Sequence, residues 1–111
     1  HQLSYAKSVA LQMADKGYIA PLRRNDIKVL GAEALGLVYV GANSMKAANY
    51  ISEHDQLISQ KMGTVMAGGE LSGVSEVSDQ YLLDIERKAF VELCSTRKTL
   101  ERIQSLVQKG K

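Results

Sequence analysis

At 111 residues the chain has the usual length of one domain, and folding at that size is expected to take roughly two-thirds of the extended chain's surface out of water. Fourteen basic and twelve acidic residues leave a formal charge of +2, too small and too mixed to single out nucleic acid or an anionic membrane as a partner. The single cysteine, Cys94, excludes an internal disulfide and suits a reducing, cytoplasmic setting, and no uncharged apolar run reaches the roughly 18 residues that a membrane span requires.

The chain opens on His1-Gln2 rather than on methionine, so it reads as a segment of a longer polypeptide, and His1 is set aside from functional argument. Proline occurs once and runs of alternating β-branched residues are nearly absent, which predicts an all-α class. About five helices should pack as a small orthogonal or bundle-like single domain over 1–111, with one irregular connector over 17–31.

From Gln2 to Lys16, Leu3, Ala6, Val9, Ala10 and Met13 recur at helical steps, and Gly17 supplies the stop. The connector holds Pro21, Arg23-Arg24 and Asn25-Asp26, and should have an exposed tip. Within it, Ile27-Lys28-Val29-Leu30 is the one stretch that could be extended. Ala32 to Tyr50 is apolar around most of its circumference, which predicts a central helix buried on nearly all sides. Gly36 and Gly41 are unfavourable inside such a helix, and close approach by a neighbouring helix would explain them.

Ser52 should cap the third helix, with Asp55 reaching back in a variant of the capping box. Ile58, Met62, Val65 and Met66 are expected on its inner face and Gly68-Gly69 at its end. Glu70 to Val77 reads as a polar loop. The fourth helix should start at Ser78 and Asp79, with Leu82, Ile85, Ala89, Phe90 and Leu93 inward and an Asp84–Lys88 pair outside. The fifth should run from Thr96 to Gln108, with Leu100, Ile103 and Val107 inward.

The chain offers little that reads as chemistry. Two histidines and one thiol do not make a zinc ligand set. Glu53, His54 and Asp55 follow one another on a helix, where neighbours point about 100° apart. They read as a solvated first turn, with contact of His54 to another domain as the functional alternative. Ala67-Gly68-Gly69-Glu70-Leu71-Ser72-Gly73 lacks the lysine of a phosphate loop and the preceding strand of a dinucleotide fingerprint, and is a helix stop. Ser44, Ser52 and Ser78 sit in no nucleophile elbow. Cys94 follows Glu92-Leu93 and reads as core. Tyr18, Tyr39, Tyr50 and Tyr81 are expected to pack with a wet hydroxyl edge. Arg97 and Lys98 open the last helix, where positive charge opposes the helix dipole. Such a conflict can mark contact with a partner's acidic surface or with a phosphate. The basic residues Arg23, Arg24, Lys109 and Lys111 are read the same way.

Several stretches go beyond composition: Gly17-Tyr18-Ile19-Ala20-Pro21, Tyr50-Ile51-Ser52-Glu53-His54-Asp55 through Gly68-Gly69, Gln80-Tyr81-Leu82-Leu83-Asp84-Ile85-Glu86-Arg87-Lys88-Ala89-Phe90, Lys98-Thr99-Leu100-Glu101-Arg102-Ile103-Gln104, and Lys109-Gly110-Lys111. In order and spacing they resemble the C-terminal region of multifunctional 3-hydroxyacyl-CoA dehydrogenases, over nearly the whole chain. The resemblance implies a parent enzyme of fatty-acid β-oxidation with an NAD-binding domain, a helical dehydrogenase domain and a crotonase-like enoyl-CoA hydratase domain, ahead of a helical tail like this one.

No dinucleotide glycine, His-Glu catalytic pair or oxyanion-hole residue of the family matches a position here. No catalytic role, cofactor or metal is therefore assigned to this segment, and NAD is implied for the parent alone. The expected partners are the catalytic domains of the same chain, a second subunit, and acyl-CoA through the parent enzyme. The alternatives are a helper module whose Arg23, Arg24, His54, Arg97 or Lys98 contacts coenzyme A phosphates or a partner, and an unrelated helical protein-interaction domain.

Overall fold

Local capping chemistry sets several helix boundaries in the structure, a computed structural model that describes residues 1–110. Lys111, named above among the basic residues, lies outside the described residues. The order is α1 (Gln2–Asp15), β1 (Ile27–Val29), α2 (Ala32–Ala47), α3 (Glu53–Met66), β2 (Ser75–Val77), α4 (Asp79–Cys94) and α5 (Arg97–Lys109). The fold is thus mostly α-helical. Three helices stop with the same device: the residue after the C-cap is left-handed and its amide, with the next one, returns to the last turn. Gly17 and Tyr18 do this for α1, Asn49 and Tyr50 for α2, Gly68 and Gly69 for α3. The central helix therefore ends short of Tyr50.

The Ser52 hydroxyl accepts from the Asp55 amide at 3.1 Å, and the Asp55 carboxylate accepts from the Ser52 amide at 3.1 Å, completing the expected capping box. Ser78 caps α4 by accepting from the Tyr81 amide at 3.0 Å.

The stretch Glu70 to Val77 is not wholly a loop, because Ser75–Val77 forms a strand. It pairs antiparallel with β1, Ile27 opposite Val77 and Val29 opposite Ser75. This two-stranded ribbon brings the connector back against the end of α3, where the best-buried residues meet. Val29 packs on Gly68, a Cβ on Gly31 would lie 2.6 Å from the Gly73 carbonyl, and a Cβ on Gly63 would collide with Val38. Gly31 and Gly68 also carry φ of +74° and +88°, which side chains with a Cβ resist. The Gly31 amide donates to the Ala67 carbonyl at 2.9 Å and the Ala32 amide to the Leu71 carbonyl at 2.8 Å, which fixes where α2 starts.

From this junction α2 lies along α3, α4 packs on the other side of α3, and α5 turns back from α4. Met62 and Val65 of α3 face Ala89 and Leu93 of α4 across an apolar groove of about 290 Å³. On the outside, Asp84 pairs with Arg87 at 3.8 Å and accepts from Gln80 at 2.9 Å, so the expected Asp84–Lys88 pair is replaced.

Much of the expected core is not closed. The buried apolar side chains are Val29, Ala42 and Ala67. The central helix, expected to be covered on nearly all sides, buries Ala42 alone and leaves Leu37 76% and Val40 65% exposed. Nothing approaches Gly36 or Gly41 within 4 Å; the helix contact that a glycine permits is at Gly63 instead. Met62, Met66, Phe90, Leu100, Ile103 and Val107, whose spacing predicts an inward position, are exposed, α1 buries no residue, and Cys94 is half-buried rather than core. Tyr18 and Tyr50 stand in solvent, while the Tyr81 hydroxyl donates to the Gly68 carbonyl at 2.8 Å.

The common physical reason is that helical periodicity marks a face suited to burial, whether or not the fold itself buries it. The radius of gyration is 19.1 Å, against about 13 Å for a compact chain of this length. The accessible surface is 8857 Å², against about 6,000 Å² for a monomer of this mass.

Gly31→Ala is expected to destabilise the fold by about 2 kcal/mol or more, because a left-handed φ and a backbone clash act together. Gly17→Ala has the same sign of φ in open space and should cost about 1 kcal/mol. Denaturant midpoints of the two variants test the difference; equal midpoints would refute the close approach at Gly31.

Candidate functional site

The expected site residues fall into separate places. Arg23 donates to the Gln80 side chain at 2.9 Å and lies 3.4 Å from the Asp79 carboxylate; Arg24 pairs with Asp26 at 3.1 Å. The Arg24 carbonyl also accepts the Asp79 amide at 2.9 Å, so this basic pair is bound to the start of α4. Arg97 is engaged by Glu101 one turn on, at 3.1 Å. That contact offsets its unfavourable place at a helix start. His54 and Lys98 do come together, along an open cleft of about 500 Å³ shared with Glu53, Gln56, Leu57 and Gln60.

His54 is not solvated. It is 6% exposed, and its Nε2 lies 2.8 Å from the Thr99 hydroxyl on α5, itself 8% exposed. The first turn of α3 is covered because α5 crosses it, a contact between residues 45 apart that helical periodicity does not encode. Thr96 spends its one hydroxyl proton on the Leu93 carbonyl at 2.6 Å. The 2.8 Å contact between the Thr96 and Thr99 hydroxyls is then satisfied by the proton of Thr99. Thr99 is left to accept, which assigns the donating hydrogen to His54 Nε2.

Asp55 adds a second tie between the same elements. One of its oxygens accepts from Ser52 within the capping box, and the other accepts from Arg102 at 2.7 Å. The Arg102 guanidinium, then the Ser52 amide and hydroxyl, hold the Asp55 carboxyl down to about 2 from its ordinary 3.8. Neither Thr99 nor Arg102 is among the candidate site residues that the sequence suggests. Their one available signal is the i,i+3 spacing that puts a hydroxyl and a guanidinium on one face of α5.

A second cleft, of about 470 Å³, lies between α2, α3 and α4, with Tyr39, Thr64, Tyr81 and Lys88 on its walls. Lys61 and Glu92 form an ion pair across it, and that ammonium holds the Glu92 carboxyl below the usual carboxylate range. Among the described residues no three His, Cys, Asp or Glu side chains are placed to hold a metal ion, and no buried side-chain polar atom lacks a hydrogen-bond partner. No described helix is long and apolar enough to cross a membrane. The chemistry visible in both clefts is charge pairing and hydrogen bonding that join helices.

Over all 111 residues the chain is 40% identical to a protein of Bacillus subtilis (strain 168) described as a probable 3-hydroxyacyl-CoA dehydrogenase. This chain matches the C-terminal region of that dehydrogenase. It spans 14% of the relative's length. No protein-family model matches the chain, and no solved structure matches it.

Thr99→Val should leave the buried His54 Nε2 unpaired and lower stability by about 1–3 kcal/mol. Thermal or denaturant unfolding checks this, and an unchanged midpoint would remove the bond from the account. Because the folded-state pKa of Asp55 is depressed, its contribution is complete above the ordinary 3.8 and is lost as pH falls toward about 2. Arg102→Met should raise the pKa of Asp55 and move that loss to higher pH, read by NMR titration of the carboxyl carbon. A titration curve unmoved by the substitution would contradict the ion pair.

Proposed function

We propose that this chain is the C-terminal accessory domain of a 3-hydroxyacyl-CoA dehydrogenase acting in fatty-acid β-oxidation with NAD. In this reading it supplies no catalytic residue, binds no cofactor itself, and works in the cytoplasm by completing the assembly of the enzyme. The observation that carries the reading is the surplus surface. A segment whose helices are patterned to be covered exposes about 2,800 Å² more than a compact monomer of its mass. That is well above the roughly 800 Å² that each partner contributes to an ordinary stable interface. The match to a relative of which the chain spans 14% supports the same reading, since the cover would come from the remaining catalytic domains or from a second subunit.

The contact of His54 with Thr99, and the engagement of Arg23, Arg24 and Arg97 by nearby groups, fit a scaffold better than a gathered phosphate site. Deleting this segment from the full-length enzyme should lower its thermal midpoint and its activity together, and light scattering should show the separately produced segment rejoining the truncated enzyme. A truncated enzyme as stable and active as the intact one would defeat the assembly role. Oxidation of 3-hydroxyacyl-CoA with NAD by the purified segment alone would defeat the accessory role.

A further inference from the structure

In α2 the sequence and the surroundings disagree most. From Ala34 to Met45 the helix carries no charged side chain, and a helix apolar on all sides belongs inside a protein. Its inner line, Leu35, Val38 and Ala42, is at least partly covered, with Val38 seated against Gly63 of α3. At 100° per residue, Gly36, Leu37, Val40, Gly41, Ser44 and Ala47 occupy an arc of about 140° on the opposite side. Leu37 and Val40 are 76% and 65% exposed there, and nothing lies within 4 Å of where a Cβ would stand on either glycine. Glycine is disfavoured in a helix interior, and nothing within this segment makes use of the space these two leave.

We propose that this outer arc of α2 is the seat of an apolar helix supplied by the part of the parent polypeptide that lies outside this segment, an inference that rests on the accessory-domain reading. Three observations select that occupant. The relative is about seven times as long as the matched region, since the chain spans 14% of it, so the bulk of such a polypeptide is available as cover. The surplus surface exceeds what one ordinary contact between separate copies would hide. Glu33, in the first turn, is the one charge on this side of the helix, and from Gly36 to Ala47 the arc carries none, which fits a continuous apolar neighbour over that length. With Gly36 and Gly41 at its borders and Ser44 and Ala47 between them, the arc lets a second helix approach at the short end of the usual interaxial distances, about 8 Å. Leu37 and Val40 are the side chains that this helix would enclose.

Maleimide labelling of single cysteines in the full-length enzyme, carrying Cys94→Ala, tests the seat. The probed positions are Val40→Cys on the arc, Leu3→Cys and Val107→Cys on other uncovered faces, and Lys28→Cys as an exposed reference. Val40→Cys should react roughly tenfold or more slowly than Lys28→Cys, as for a site reached only through local opening. Its protection should hold across protein concentrations at which light scattering reports an unchanged mass. Fast labelling of Val40→Cys with Leu3→Cys and Val107→Cys protected overturns the seat and leaves the accessory reading standing. Fast labelling at all three overturns both. Protection of Val40→Cys that appears only as the mass doubles overturns the parent helix in favour of a second copy. Gly41→Leu, unopposed within this segment, should lower the thermal midpoint of the full-length enzyme and speed labelling at Val40→Cys; an unchanged or raised midpoint overturns the proposal.

Discussion

The arrangement depends on backbones that touch where side chains would forbid it. Gly31 meets the 71–73 turn, Gly63 receives Val38, and Gly68 receives Val29. These contacts join the ribbon, the start of α2 and both the middle and the end of α3, in a chain whose buried apolar side chains are small in number and size. Close packing normally comes from large side chains interdigitating; here it comes from removing them. Tyr81 then ties α4 to the same junction by donating to the Gly68 carbonyl. The glycine-rich run after α3, which as a motif suggests a phosphate cradle, is a structural pivot.

Away from that pivot, directional bonds also join the helices. His54 to Thr99 and Asp55 to Arg102 hold α5 over the start of α3, and Lys61 to Glu92 joins α3 to α4. Exposed ion pairs contribute little individually, whereas a buried hydrogen bond is costly to leave half-made. The His54–Thr99 contact is therefore the more consequential tie, although Asp55 carries the clearer electrostatic signature. These bonds set the orientation of α5 while leaving Leu100, Leu106 and Val107 uncovered.

What was legible in the sequence was whatever neighbouring residues decide. Ser52 with Asp55 and Ser78 with Asp79 announce helix starts, Gly17 and Gly68 announce stops, and the structure has helices in those places. The strands were harder: each is three residues long and draws its stability from a partner nearly fifty positions away, so Ser75–Val77 carries no pattern of its own. The burial of His54 escapes local pattern for a similar reason, since Thr99 reaches it only once the chain has turned twice. The central helix shows a different limit. Its composition describes a helix suited to an apolar setting, whereas the fold leaves most of it exposed, a difference that no local pattern encodes.

The carboxylate of Asp55 belongs to two contacts of very different reach, one to Ser52 three residues away and one to Arg102 forty-seven residues away. In the folded chain the two contacts share one orientation of the side chain, so the rotamer freedom given up for the cap of α3 serves the distant contact as well. One residue is both the end-stop of a helix and the fixed point against which the last helix is set.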